Sequence, residues 1–138
     1  MKIGKKDLLL IEVNIDGFIE YANKKFRDIS GYSENELVGK KYIRFLNDHT
    51  SHDLCKEAFS SCANGFYWEG YFKNETKDGD YFWTKVNFQS KKIDDIIVGY
   101  ILKQTYATQE NIDFMEFELK KYSTGMTVKS KNCGIVVY

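Results

Sequence analysis

Proline is absent from this chain of 138 residues. Without ring-locked turns, glycine and short polar pairs must punctuate it. Neither sign of charge is in excess, since lysine plus arginine and aspartate plus glutamate number 20 each. A formal net charge of zero argues against a nucleic-acid surface, which needs a basic footprint. No apolar run approaches the length of a bilayer span, and residues 1–6 lack the apolar core of a signal peptide. Cysteine occurs three times, as Cys55, Cys62 and Cys133, with no metal-ligand spacing. An odd count with no secretion signal predicts a reducing, cytoplasmic setting. No nucleophile–base pair, metal cluster or phosphate loop is visible, so nothing in the residues points to an enzyme. There is no internal repeat and no low-complexity tract.

What is abundant is apolar surface: 43% hydrophobic residues and 16% aromatics, enough for one domain with a real core. The densest stretch is GFYWEGYFKNETKDGDYFWTKVNFQS, residues 65–90. Asp78-Gly79 marks a hairpin between two long strands. A two-residue loop would pair Asn74 with Trp83 and Trp68 with Gln89. A three-residue loop, Lys77 to Gly79 with Gly79 left-handed, pairs Asn74 with Phe82, Gly70 with Val86 and Trp68 with Phe88. The second register keeps apolar with apolar and is the one expected. Trp68, Gly70, Phe72, Asn74, Phe82, Thr84, Val86 and Phe88 then share an inner face. Gly70 is expected to leave room in it, and Asn74 and Thr84 are its polar members. An apolar concave face with a few placed polar groups has the character of a small-molecule pocket. The competing reading is that Asn74 only satisfies a backbone group near the turn.

Upstream, Leu9, Ile11, Val13 and Ile15 alternate with polar neighbours as in a strand, and Asp16-Gly17 turns into a second at 18–22. Asn23 caps a short helix stopped by Gly31. Ser33 and Glu36 have capping-box spacing for another helical turn. Residues 40–48 read as irregular or one loose turn. Ser51 is expected to cap a longer helix running to about Asn64-Gly65. Cys55, Ala58, Phe59 and Cys62 form its inward stripe, so both thiols read as small core residues. His52 projects onto that stripe and His49 does not. Residues 91–95 form a polar turn. IIVGYILKQT, 96–105, is apolar on both faces and reads as a central strand. From Thr108 the pattern is helical, with Ile112, Met115, Leu119 and Tyr122 on a heptad seam. The order predicts an α+β fold: a five-stranded antiparallel sheet, short helices and one longer helix on one face, and a C-terminal exit helix. The expected divisions are a domain at 1–108, the exit helix at 109–122, and a tail or the start of a continuation at 123–138.

These residues resemble the PAS sensor family. The resemblance is carried by DGFIEYAN (16–23), FRDISGYSENELVGK (26–40), YWEG (67–70), KNETKDGDYFW (73–83) and IVGYI (97–101). It implies the PAS fold and a sensory module that encloses a ligand between sheet and helices. It also implies signalling through a flanking helix to an effector, in cis or in trans, often across a dimer. The pattern is similar to the redox-sensing PAS domains of aerotaxis transducers, which hold FAD. Those carry His-Pro-Asp-Met-Pro before the long helix, where this chain has Asn47, Asp48, His49, Thr50 and Ser51; Asn74 carries over. Arg44-Phe45-Leu46-Asn47 resembles the Arg-Phe-Leu-Gln of light-oxygen-voltage flavin domains. Ile43 stands where their photoactive cysteine would be, and Thr84 where they have a second asparagine. A cysteinyl photoadduct is therefore excluded, while FMN binding is not. Arg44 would meet a phosphate. Haem-binding PAS domains supply an axial histidine near the long helix, here His52 or, second, His49.

The expected pocket lies between the inner sheet face and the long helix, lined by Phe59, Trp68, Phe72, Asn74, Thr84 and Val86, with Arg44 and Asn47 as further contacts. Its occupant is an unidentified small metabolite, flavin (FAD or FMN), haem, or none. In the last case the chain is a ligand-free PAS module that dimerises or docks a partner. The outer face, with Tyr67, Tyr71, Tyr81 and Trp83, is expected to form a homodimer. The alternative is that the exit helix or the first six residues fold back over it.

Overall fold

The computed structural model describes the backbone of residues 3–47, 49–123, 128–131 and 134–137. Cys133 lies outside the described residues, as do the side chains of His49, Leu119 and Tyr122.

The expected hairpin forms the right half of the sheet. β3 (Trp68–Glu75) and β4 (Tyr81–Ile93) pair with Trp68 opposite Phe88, Gly70 opposite Val86 and Asn74 opposite Phe82, the three-residue register. The loop closes through Thr76 N–H donating to the Asp80 carbonyl at 2.8 Å, and Gly79 takes φ +89°. An L side chain resists that φ, which is why glycine ends the turn. β4 runs to Ile93, two residues beyond the start of the expected polar turn, and pairs with β5 (Ile96–Tyr106) through Asp94 and Asp95 alone. Both aspartates have positive φ, the conformation of a tight two-residue hairpin loop. β1 (Leu9–Asn14) pairs with β5 and with β2 (Ile19–Ala22), giving the antiparallel order β2-β1-β5-β4-β3. β5 is central, as its apolar run predicts.

Leu9, Ile11 and Val13 are buried on the inner face with Leu102 and Val86. Across them pack α1 (Lys24–Ser30), α2 (Glu34–Leu37), a 3₁₀ turn (Tyr42–Phe45) and α3 (His49–Ala63). The Asn23 carboxamide caps α1 by accepting from Phe26 N–H, and also accepts from Leu10 N–H on β1. The Ser33–Glu36 capping box closes in both directions. Glu36 also pairs with Lys77 of the hairpin loop at 2.8 Å, and that hydrogen bond holds its pKa down to about 2.

Ser51 does not cap α3. The helix starts at His49, and Ser51 sits inside its first turn. Its hydroxyl instead accepts from Lys73 N–H of β3 at 3.0 Å. Asn47 N–H donates to the Lys73 carbonyl at 2.7 Å, and Leu46 bridges Asn74. The free edge of β3 is thus stitched to the segment that begins α3, which covers an edge that would otherwise invite pairing.

α4 (Gln109–Ser123) begins where the exit helix is expected. It folds back onto the outer face. Trp83 is buried there, its Nε1–H donating to Glu116 at 3.0 Å, and Met115 is 1% exposed. The Lys73 ammonium lies 3.9 Å above the Tyr81 ring and 3.9 Å from Glu116. This is the intramolecular alternative: Trp83 is spent on α4. Tyr67 precedes β3 and, like Tyr81, stays about half exposed. Tyr71, opposite Lys85, is half-buried, and the rest of the outer face carries Lys85, Asn87, Gln89, Lys103 and Thr105 and is polar, with Ile101 among them. A hairpin of β6 (Val128–Lys131) and β7 (Gly134–Val137) follows α4.

Candidate functional site

Four uncharged polar side chains meet at the middle of the inner face. Asn74 comes from β3, Thr84 from β4, Gln104 from β5 and Tyr42 from the 3₁₀ turn. Each residue is 0% exposed. The Tyr42 hydroxyl donates to Asn74 Oδ1 at 2.6 Å. Asn74 Nδ2 donates to Thr84 Oγ1 at 3.0 Å and to Gln104 Oε1 at 3.2 Å. Thr84 donates to Gln104 Oε1 at 2.6 Å, and Gln104 Nε2 returns a bond to the Tyr42 hydroxyl at 2.8 Å. The ring is closed. Tyr42 is the ring's member from the helical cover; the other three come from the sheet. Burial drives the Tyr42 pKa well above 10, so the hydroxyl keeps its proton.

Sequence reasoning found Asn74 and Thr84 and missed their partners. Gln104 is in phase with Leu102 and faces Val86 across the ladder, but a strand apolar on both faces conceals one inward amide. Tyr42 sits in a stretch without periodicity. The expectation that Asn74 serves only a backbone group is also overturned: its side chain bonds three other side chains.

The aromatic walls lie where the register puts them. Phe72 stacks with Trp68 at 5.3 Å and sits 6.2 Å from Tyr42. Phe59 reaches from α3 between Phe88 and Tyr100, at 4.9 and 5.1 Å, and is half-buried rather than fully inward. Val86, Cys55, Ala58 and Cys62 are fully buried. Burial drives the Cys55 thiol above its ordinary range and Cys62 up to about 11, so both are inert core residues.

Gly70 does not leave a cavity. The Trp68 indole lies on it: a Cβ at residue 70 would collide with Cη2 and come within 2.6 Å of Cζ2. Trp68 is 0% exposed, and its Nε1–H closes no hydrogen bond of good geometry among the described residues. The Glu57 carboxylate lies beside it without closing a bond of good geometry. Burial raises the Glu57 pKa above 4.5, and the indole N–H opposes that rise. The sign follows directly. A carboxyl whose folded pKa is raised costs stability once ionised, and the cost disappears below pH 4.5, where both states are protonated. Glu57→Gln should therefore raise Tm at pH 8 and leave it unchanged at pH 4, as read by thermal unfolding across that range. A wild type that gains on the variant as pH rises would contradict this.

Two other candidates stand apart from the ring. Arg44 is exposed and lines a separate cleft of about 500 Å³ with Tyr32, Asn35, Glu36, Lys40 and Phe45. The His52 ring shares Nε2 with the Leu46 carbonyl at 3.0 Å. Asn47 contributes its backbone to the β3 stitch. Among the described residues no group of three His, Cys, Asp or Glu side chains is placed to hold a metal ion. Among the described residues no helix is long and apolar enough to cross a membrane.

Comparison with known proteins agrees with this architecture. The family described as PAS domain matches residues 6–109. The aerotaxis receptor of Escherichia coli (strain K12) is 32% identical over 133 residues, 94% of this chain and 26% of the receptor's length. The bacterioopsin transcriptional activator of Halobacterium salinarum is 30% identical over 69 residues, 50% of this chain and 10% of that protein. The PAS domain of a Colwellia psychrerythraea protein superposes with a TM-score of 0.66 at 20% identity, covering 74% of this chain and 87% of that one. The dark structure of the Aureochrome1 LOV blue-light photoreceptor does so at 0.64 and 21%, covering 85% and 86%.

Proposed function

The chain belongs to the PAS family and is a sensory domain of that kind, and from this premise we propose that it senses a planar, uncharged heterocycle held against the inner sheet face at the Tyr42–Asn74–Thr84–Gln104 ring. The observation that carries the proposal is the ring itself. Amides and hydroxyls offer donors and acceptors together, at the centre of an apolar face, from four separate elements. That set complements a ring edge on which N–H and C=O alternate, and it carries no charge for such a ligand to neutralise.

A flavin has this edge. The likeness to the aerotaxis receptor and to light-oxygen-voltage domains supports it over haem. The His52 nitrogen nearest the Leu46 carbonyl is already engaged, which further disfavours an axial ligand. When bound, a flavin supplies redox and light absorption that the side chains lack. Asn74, Thr84 and Gln104 would orient its edge, Tyr42 would cover it, and the apolar walls would exclude water. Arg44, out in its own cleft, does not belong to this set.

The output route is short. Thr84 belongs to the ring and its neighbour Trp83 lies under α4. A change in ring bonding shifts β4 beneath the exit helix, which leads to an effector in cis or in trans. The second reading is a ligand-free module for docking or dimerisation. It is favoured by the filled space over Gly70 and by the exposed Tyr67 and Tyr81. The outer-face homodimer loses Trp83 to α4 and keeps Tyr67, Tyr81 and the half-buried Tyr71.

Titration of purified protein with FMN and FAD tests the proposal. Asn74→Ala and Gln104→Ala, each checked for native circular dichroism, should bind at least ~10-fold more weakly, since each removes a buried polar contact. Lys85→Ala on the outer face should bind as wild type does. Equal affinity in all four proteins would remove the ring from the site.

A further inference from the structure

We propose that Trp68 is a built-in plug, occupying the slot that a fused, planar heteroaromatic ligand takes when bound. The inference rests on the inner-face reading above and adds how that site is kept closed.

Three independent features set Trp68 apart from an ordinary core tryptophan. The first is where it lies. Its six-membered ring rests on the backbone of residue 70, a place open only because glycine has no Cβ. The second is how it lies. The indole stacks with Phe72, the planes 27° apart, so the slot is shaped to a flat aromatic. The helix across from the sheet presents Cys55, Ala58 and Cys62, side chains small enough to leave that thickness. The third is what it lacks. A buried tryptophan N–H ordinarily closes a well-aligned bond, and among the described residues this one has only the Glu57 carboxylate beside it, out of good geometry. A residue selected only to fill this space would be expected to have its polar atom satisfied. A residue that vacates the space on demand leaves that bond unmade.

Asn74 shares the inner face of β3 with Trp68, Gly70 and Phe72. A ligand stacked over Gly70 therefore brings its edge to the polar ring. The resident indole competes with it, so the wild-type affinity is reduced by the fraction of molecules in which the slot is open.

Riboflavin is the probe, because it carries the fused ring with no phosphate. Trp68→Ala should bind riboflavin at least ~10-fold more tightly than wild type. Trp68→Leu, which keeps more of the core volume, should also gain affinity if the alanine variant fails to fold. A second measurement leaves Trp68 in place. The chain has two tryptophans; in Trp83→Phe labelled with 5-fluorotryptophan, the single ¹⁹F resonance reports residue 68. Riboflavin should give that resonance the H₂O/D₂O isotope shift of a solvent-exposed indole. Weaker or equal binding by the Trp68 variants, or a resonance that stays buried in the riboflavin complex, overturns the plug and leaves the inner-face site standing. No riboflavin binding by wild type or either Trp68 variant overturns the inner-face reading, and the plug with it.

Discussion

Asn74→Leu is expected to destabilise the domain by about 3 kcal/mol. Leucine keeps the branched outline of asparagine and leaves no cavity, so the loss is chiefly that of the hydrogen bonds. The substitution takes the acceptor from the Tyr42 hydroxyl and the donor from Thr84 and Gln104, all 0% exposed. Each group left without a partner costs about 1–3 kcal/mol, and the remaining three members recover part by turning to one another. A domain of this size loses roughly 10 °C in Tm for such a change. Tyr42→Phe removes one hydroxyl and should cost less. Because the two positions share a bond, the double variant should be less damaged than the sum of the singles. Urea unfolding of the four proteins gives the coupling directly. Additive losses, or a cost under ~1 kcal/mol for Asn74→Leu, would show that the ring is not a unit.

Gly99→Ala is expected to cost at least ~3 kcal/mol, for a different reason. Gly99 pairs with Asn14 where β5 meets β1. A Cβ there would run into the Val13 carbonyl, with the Asn14 Cα at 3.4 Å behind it. Both obstacles are backbone. They yield only if β1 moves off β5, and β5 is the middle of the sheet. Gly65→Ala is the control. That glycine has φ +89° but open space around it, so it loses only the conformational term, about 1 kcal/mol. Comparable Tm losses for the two variants would mean that β1 and β5 are less firmly joined than their close approach implies.

How much of this was legible in the residues depended on whether the determinant was local. The hairpin register followed from matching apolar faces, because a one-residue slip would turn Trp68, Phe72 and Val86 to solvent. Asn23 and the Ser33–Glu36 pair act within four residues of themselves, and their caps could be read from spacing. Ser51 has the same cap-like appearance, but its hydroxyl is claimed by Lys73 from another element. No local rule sees that competition. Gln104 was hidden for a similar reason: its partners are 20 or more residues away, and its strand is otherwise apolar. Gly70 was recognised as special but read with the wrong sign. A missing Cβ leaves space, and only the fold shows that the Trp68 indole, two residues back on the same face, fills it. Trp83 was rightly placed outside the core set, yet its cover proved to be α4 of the same chain.

The central claim is that the inner-face ring reads a heterocycle. It is tested most directly by the absorbance spectrum of the protein purified from riboflavin-supplemented cells, followed by heat release of whatever is bound. The account predicts flavin bands in the native protein and free flavin in the supernatant, both lost in Asn74→Ala that still folds. A native spectrum with tryptophan and tyrosine absorbance alone, unchanged after incubation with FMN and FAD, would contradict it.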